Sequence, residues 1–189
     1  MDYSKIMASA VDGPRIGRLY LDAPSRPDAP SVRDAYASFV RQVDWQYDLM
    51  TRPVARGGYG VGVVFTDQDP YASAGEMFHD VATRSVLRVY RTQADQGHPI
   101  LSAESNDRFR AVHDFFGHFR SARGFDRHGE EAAWVCHSKM FAGVAQRAMT
   151  TETRGQSSAL CWLTSPEFPP QKALLLPEWC STVPTEWLV

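Results

Sequence analysis

The sequence predicts a mainly α-helical protein with a few short strands, an α-rich α+β fold. Two long stretches, beginning near residues 31 and 129, place apolar residues at the three- and four-residue spacing of amphipathic helices. Between them lie two short runs rich in valine, VGVVF at 61–65 and SVLRVYRT at 85–92, which have the length and composition of strands. Few strands among longer helices favour this fold class.

The helices follow one another along the chain. Ser31 is a suitable N-cap for a helix over VRDAYASFVRQVDWQYDLM, and residues 73–83 are expected to form a short helix between the strands. We expect ESNDRFRAVHDFF to form a helix that begins at Ser105 or Asn106. It should end at Gly117, because glycine adopts the left-handed conformation after a helix at little cost. GEEAAWVCHSKMFAGVAQRAMTTETRG predicts one last long helix before a proline-rich coil.

The domain organisation follows from composition. The chain has 189 residues, enough for one domain with a substantial core. Residues 1–30 are polar and rich in proline, glycine and aspartate, so we expect an irregular N-terminal arm. Residues 31–189 contain the predicted elements without an evident linker and should form a single domain, for which the motifs below predict a metal-binding, catalytic type.

Charge and cysteine usage narrow the class of protein. The net charge of −2 gives no bulk attraction to nucleic acid or to anionic membranes. Cys136, Cys161 and Cys180 are an odd number without CxxC spacing, which disfavours a disulfide framework and fits a reducing compartment. The N-terminus lacks the apolar run of a signal peptide, and no window approaches the roughly 18 apolar residues of a membrane span. We therefore predict a cytoplasmic protein.

The stretch VHDFFGH, residues 112–118, carries two histidines five positions apart. On a straight α-helix such residues differ in direction by about 140°, so they do not share a face. If the helix ends at Gly117, His118 lies on the turned-back chain and can point to the same place as His113. This arrangement predicts a two-histidine metal site, and the alternative is a pair of ordinary core histidines.

A third ligand is expected from the later helix, whose ionisable candidates are Glu130, Glu131, His137 and Glu152. Glu130 and Glu131 lie in the first turn, where the helix dipole already favours acids. Glu152 ends an apolar stripe, where an unpaired carboxylate is costly. On a straight helix it would lie about 22 Å from His137, so both cannot bind one ion. We therefore predict the metal ligands His113, His118 and Glu152.

Residues near these ligands are predicted to assist catalysis. Glu131 and His137 are expected to orient ligands or to move protons. Arg154 can bind an anionic substrate through its guanidinium group, or it can simply complement the dipole at the end of a helix. Five arginines around the histidine motif are expected to form a solvated face rather than a nucleic-acid surface: Arg108, Arg110, Arg120, Arg123 and Arg127. Two histidines and one carboxylate with open positions are typical of non-haem Fe(II) oxygenases.

Residues 85–178 resemble the iron- and pterin-dependent aromatic amino acid hydroxylases. HDFFGH is similar to their H-[ED]-x-x-G-H iron motif, and Glu152 follows it at a distance similar to that of their third ligand. Three further segments resemble parts of the family. The segment before the motif is LRVYRTQADQGHP, the one around the ligand glutamate is TTETRGQ, and the one after it is QKALLLPE. The resemblance implies a reduced hydroxylase-like core with Fe(II) on His113, His118 and Glu152.

The chain also departs from that family. It is much shorter than a hydroxylase catalytic domain, and Gln96 stands where the family has the arginine that binds the substrate carboxylate. Thr151, Thr153 and Arg154 replace aromatic residues beside the ligand glutamate. Asp114 matches the acid that lies near the pterin and is the predicted cofactor-binding residue. The resemblance thus extends further for the iron site than for a pterin or an amino acid substrate.

The leading prediction is a mononuclear non-haem Fe(II) oxygenase that hydroxylates an unidentified substrate, with electrons from a pterin or another reductant. A zinc-dependent hydrolase is the second, in which zinc lowers the pKa of water toward about 7 and Glu131 is the base. Four segments also resemble uncharacterised bacteriophage domains of the polyvalent-protein type: FTDQDPY, FRAVHDFFGH, GEEAAW and TETRGQ. They add a third alternative, a phage structural or host-interaction protein in the bacterial cytoplasm, with a structural metal or none.

Overall fold

The computed structural model describes residues 1–93, 97–184 and 187. Most of these residues are helical, and the β-structure among them is one two-stranded parallel sheet. The α-helices are Asp12–Asp22 (α1), Pro30–Thr51 (α2), Ala74–Arg84 (α3), Ala103–His113 (α4), Arg127–Ser138 (α5), Ala145–Thr150 (α6) and Gln156–Ala159 (α7). The strands are Gly62–Thr66 (β1) and Val86–Tyr90 (β2). The prediction of a mainly helical α+β protein is confirmed.

Shorter helical segments of two kinds join these elements. Segments of π-helix are Asp114–Phe119, Thr151–Gly155 and Leu160–Thr164. Turns of 3₁₀ type include Tyr3–Lys5, Val54–Arg56 and Glu178–Ser181. In the part of the chain that the structure describes, no helix combines the length and the apolar character needed to cross a membrane.

The helix α2 provides one side of the main core. Its Tyr36, Phe39 and Val43 are fully buried, as the helical spacing of apolar residues predicted. The helix packs against α4 and α6, and Phe39 contacts Phe109 of α4 with a ring-centroid distance of 4.9 Å. It begins at Pro30 rather than after a Ser31 cap, because proline suits a first turn whose amides have no partner in the helix.

The two strands pair in parallel with Gly62 opposite Val86 and Thr66 opposite Tyr90. The helix α3 connects them, as a parallel pair requires, and Ser73 caps its first turn through the amide of Glu76. The predicted strands and the short helix are confirmed within two residues at each end. The carboxyl end of β2 leads into the cavity described below.

The prediction of an irregular arm over residues 1–30 is wrong for α1. This helix buries Ile16 and Tyr20 in a second apolar cluster and lies against α7. Gly17 allows this packing, because a Cβ there would lie 2.9 Å from Ser158 O and 3.0 Å from Ala159 Cα. The glycines of this segment suggested a break in structure, whereas Gly17 serves a close helix–helix approach.

Alanine at Gly17 is therefore expected to destabilise the fold by about 1–3 kcal/mol through overpacking. The matched control is Gly75→Ala on α3, where the new Cβ makes only an ordinary contact and alanine improves helix propensity by about 1 kcal/mol. Urea unfolding of both variants measures the difference. Equal midpoints would contradict the close packing of α1 on α7.

The last predicted helix is interrupted, and this changes the placement of site residues. The helix α5 ends at Ser138, Gly143 adopts a left-handed φ of 61°, and α6 begins at Ala145. The separation of about 22 Å between His137 and Glu152 assumed one straight helix. That assumption was wrong, because the chain turns between the two residues.

Candidate metal centre

The two histidines of VHDFFGH are brought together by a π-helical turn. The helix α4 runs to His113, and Asp114–Phe119 continues it with π geometry. In a π-helix the hydrogen bonds join residues five apart, so residues at this spacing lie about one turn apart on one face. The rings of His113 and His118 have centroids 5.1 Å apart. The expected helix end at a left-handed Gly117 was wrong, because Gly117 lies inside this turn.

Gly117 has a different role, a close approach between this turn and α5. A Cβ on Gly117 would lie 3.1 Å from His113 Nδ1 and 3.2 Å from the Cβ and carbonyl oxygen of Ala133. The absence of a side chain therefore lets α5 pack directly over the motif. This packing carries Glu130 and His137 of α5 to the two histidines.

Three residues form a group that can hold a metal ion. His113, His118 and Glu130 each offer one ligand atom, and these atoms lie within 4.8 Å of one another. His118 Nε2 is 3.5 Å from Glu130 Oε1. Glu130 was not among the predicted ligands, because the helix dipole already explains an acid in a first turn. Its seven-residue spacing from His137, which puts both on one helix face, was the signal that could have identified it.

Glu152, the predicted third ligand, lies outside this three-residue group but lines the same cavity as both histidines. It occupies the π-helical segment Thr151–Gly155, and its side chain is buried. Its Oε1 accepts a hydrogen bond from Tyr36 and lies 3.2 Å from His98 Nε2. The role of Glu152 as a metal ligand stays a prediction.

Hydrogen bonds select the tautomer of His113. His137 Nε2 lies 2.6 Å from Gln46 Oε1, which only accepts, so this nitrogen carries the proton. The amide of Gln46 is oriented by its own bond to Met140 O. Burial lowers the pKa of His137 to about 3, so its Nδ1 is an acceptor. His113 Nδ1, 3.1 Å away, must then be the donor, which leaves His113 Nε2 with a free lone pair.

His118 is prepared in the same way. Its Nδ1 lies 3.1 Å from the carbonyl oxygen of Arg123 and therefore donates a proton to it. Its Nε2 is left unprotonated beside Glu130, because burial lowers the pKa of His118. Metal-binding histidines commonly donate their second ring N–H to a carbonyl or another acceptor. Both histidines thus present the neutral form that ligates metals.

The carboxyl groups beside these rings are buried, and nearby positive charge does not offset the effect of burial on their pKa. Burial and the charge of Asp126 raise the pKa of Glu130 to about 8. Burial raises the pKa of Asp114 to about 7, although His118 and Arg110 lower it. A divalent cation would favour the ionised form of both acids.

The cluster opens into a cavity of about 420 Å³, a volume within the range of sites for small organic molecules. His113, Asp114, His118, Glu130 and Glu152 line its polar side. The other walls carry aromatic residues that include Tyr71, Phe109, Phe125 and Phe168. The site therefore combines candidate ligands with an apolar space beside them.

Glu131 and Arg154, two of the predicted catalytic residues, pair with each other instead of facing this cavity. Arg154 Nε and Nη2 donate to the two carboxylate oxygens of Glu131 at 3.1 and 2.5 Å. Its Nη1 donates to Cys180 O at 2.7 Å, and the guanidinium lies 4.0 Å from the ring centroid of Trp134. These contacts support a structural role for the pair. His137, the third predicted catalytic residue, contacts His113 as expected of a residue that orients a ligand.

Comparison with known proteins adds no further assignment to this geometry. No protein-family model, no curated protein and no solved structure matches the chain. The resemblance to aromatic amino acid hydroxylases therefore depends on the motifs quoted above. Gln96, which stands at the position of their substrate arginine, lies outside the described residues.

Proposed function

We propose that the protein binds one Fe(II) ion through His113, His118 and a carboxylate, and acts as an oxygenase-like enzyme on a small molecule in the adjoining cavity. The observation that carries this proposal is that one ring nitrogen each of His113 and His118 and a carboxylate oxygen of Glu130 lie within 4.8 Å of one another. Hydrogen-bond contacts engage the Nδ1 atom of both rings, which leaves Nε2 to bind a metal. Neutral imidazoles and a carboxylate suit Fe(II) with open coordination positions. The resemblance to the hydroxylases supports iron over other metals and a reduced hydroxylase-like core.

The chain's own groups have distinct tasks in this proposal. Gln46 and His137 hold the ring of His113, and the Arg123 carbonyl holds that of His118. The aromatic walls exclude water and bind the apolar part of a substrate. Asp114, with a pKa of about 7, can hold or release a proton in the cavity. Bound Fe(II) would supply dioxygen activation for a hydroxylation, with electrons from a pterin near Asp114 or from another reductant.

Oxygen uptake tests the reaction class. Fe(II)-loaded protein with a tetrahydropterin or ascorbate is expected to consume oxygen faster than the same mixture containing the His113→Ala variant. Uptake equal to that of the variant with each reductant, alongside intact cation binding, would contradict the oxygenase and favour zinc-dependent hydrolysis. Absence of any bound cation would favour a structural or host-interaction protein.

The three free cysteines fit the cytoplasmic location that we propose.

Glutamine substitutions test the two carboxylates. Glu130 belongs to the three-residue group, and Glu152 is the ligand that the resemblance predicts. Loss of a ligand carboxylate at nearly constant volume should lower cation affinity by at least tenfold, the scale of an outer-shell loss. We expect this loss in both Glu130→Gln and Glu152→Gln, with the larger loss at the residue in direct contact with the ion. Calorimetric titration with Co(II) measures the cation affinity of each variant. Wild-type affinity in both variants would contradict a carboxylate ligand.

Alanine at Gly117 is expected to weaken both cation binding and the fold. The added Cβ would press on His113 Nδ1, the atom that bonds to His137, and should lower affinity about tenfold. Destabilisation from the contact with Ala133 should be about 1–3 kcal/mol. Cobalt titration and urea unfolding measure the two effects, with Gly75→Ala as the control. An unchanged affinity would contradict the tight packing over the motif.

A further inference from the structure

Glu152 is held by the protein through one of its two carboxylate oxygens. Its side chain is only 2% exposed. The hydroxyl of Tyr36 and the Nε2 of His98 both approach Oε1. A buried carboxylate costs free energy unless such donors compensate it. Both donors contact the same oxygen, Oε1.

The backbone sets the tautomer of His98. The amide nitrogens of Ile100 and Leu101 lie 3.1 and 2.9 Å from His98 Nδ1. A backbone N–H can only donate, so Nδ1 must accept and cannot carry a proton. The proton of the neutral ring is therefore on Nε2, which donates to Glu152 Oε1. The direction of this hydrogen bond follows from the loop backbone and not from the carboxylate.

Tyr36 is also fixed as a donor. Its hydroxyl donates to Glu152 Oε1, because a carboxylate oxygen can only accept. The ring of Tyr36 stacks on that of His98 with centroids 5.2 Å apart and an interplanar angle of 30°. Two rigid donors therefore meet at one oxygen, and each limits the movement of the other.

The second oxygen of Glu152 faces a different environment. Among the described residues no hydrogen bond is made to Oε2, and it is not one of the fully enclosed polar atoms that lack a partner. Glu152 lines the cavity that also contains His113 and His118. Its Oε2 is therefore the oxygen available to a ligand in that cavity.

We propose that His98 and Tyr36 are positioning residues, which hold Glu152 through Oε1 so that Oε2 is presented to a divalent cation in the cavity. This role rests on the proposed function, since it assumes a cation near the two histidines. It assigns a task to His98, a residue of the loop before α4 that the sequence argument did not use. Outer-shell groups of this kind typically change metal affinity by about 10–100-fold.

Nitrogen NMR on the metal-free protein tests the tautomer without reference to any metal. The expected result is a proton on Nε2 and a pyridine-like Nδ1 in His98, in the wild type and in Glu152→Ala, because the amides of Ile100 and Leu101 set it. A proton on Nδ1 in the wild type would overturn the inference. This measurement does not depend on whether the protein binds a cation.

Paired substitutions then test positioning. In His98→Asn the amide oxygen can replace Nδ1 as an acceptor, but no donor reaches Glu152; in His98→Gln the amide NH₂ can replace the Nε2 donor. We expect cobalt affinity to fall about tenfold in His98→Asn and in Tyr36→Phe, and to be largely restored in His98→Gln. His79→Asn, at an exposed histidine of α3, is the control and should bind as the wild type does.

The outcomes separate this inference from the proposed function. Wild-type affinity in His98→Asn and Tyr36→Phe, together with reduced affinity in Glu152→Gln, would overturn positioning and leave the metal site intact. Positioning would also be overturned if His98→Asn and His98→Gln lost cobalt affinity equally and their unfolding midpoints fell to the same extent. A general packing defect would then explain the loss of affinity in both variants. No cation binding by the wild type would refute the proposed function and positioning together, while the NMR result would still decide the tautomer of His98.

Discussion

His113→Ala and His118→Ala are each expected to lose cation binding, with an affinity at least about 100-fold below that of the wild type. Each variant removes an Nε2 lone pair that the hydrogen bonds to His137 and to the Arg123 carbonyl had prepared. Either variant leaves the group of His113, His118 and Glu130 with only one imidazole to bind the ion. Anaerobic calorimetric titration with Fe(II) or Co(II) measures the loss.

Two further histidine variants make this result specific. His79→Ala, on the exposed side of α3, should bind the cation as the wild type does. His137→Ala should bind about 10–100-fold more weakly, because it removes the acceptor that orients His113. Retention of wild-type affinity in both His113→Ala and His118→Ala would show that these rings are ordinary core histidines.

Arg154→Met is expected to destabilise the fold by about 3–5 kcal/mol, the cost of breaking a buried ion pair at one partner. Arg154 and Glu131 are 4% and 6% exposed, and they share two hydrogen bonds. Without the guanidinium, burial raises the pKa of Glu131 unopposed, and its carboxyl group stays enclosed without a donor. The stacking of Arg154 on Trp134 and its bond to Cys180 O are lost as well. Urea unfolding measures the effect.

A double substitution provides the matched control. Glu131→Met with Arg154→Met removes both charges, and well-packed apolar residues often replace a buried ion pair at little cost. The double variant should therefore recover much of the stability lost in Arg154→Met. A loss below about 1 kcal/mol in the single variant, the scale of an exposed pair, would contradict a structural role and return Arg154 to consideration as a substrate-binding residue.

The elements that sequence alone predicted well are those with strong local patterns. In α2, β1 and β2 the spacing of the apolar residues along the chain shows which face meets the core. The helix α1 was missed because Gly17 suggests a break locally. Its packing depends on α7, almost 140 residues later in the chain, and no local pattern contains that information.

The candidate site was predicted in part for a similar reason. The motif identified His113 and His118, but the α-helical period could not anticipate the π-turn that aligns them. Glu130 was set aside because its place in a first turn had a sufficient local explanation. The contact between His137 and His113 requires α5 to fold back over the motif, which the missing Cβ of Gly117 allows. Long-range packing therefore decides which polar groups meet.

Anaerobic equilibrium dialysis of the wild-type protein against Fe(II), followed by metal analysis, tests the central claim most directly. The account predicts about one tightly held ion per chain, in keeping with a single site of two histidines and a carboxylate. Zinc and cobalt should compete for the same site. Retention of no iron, zinc or cobalt under these conditions would contradict the metal centre and with it the proposed function.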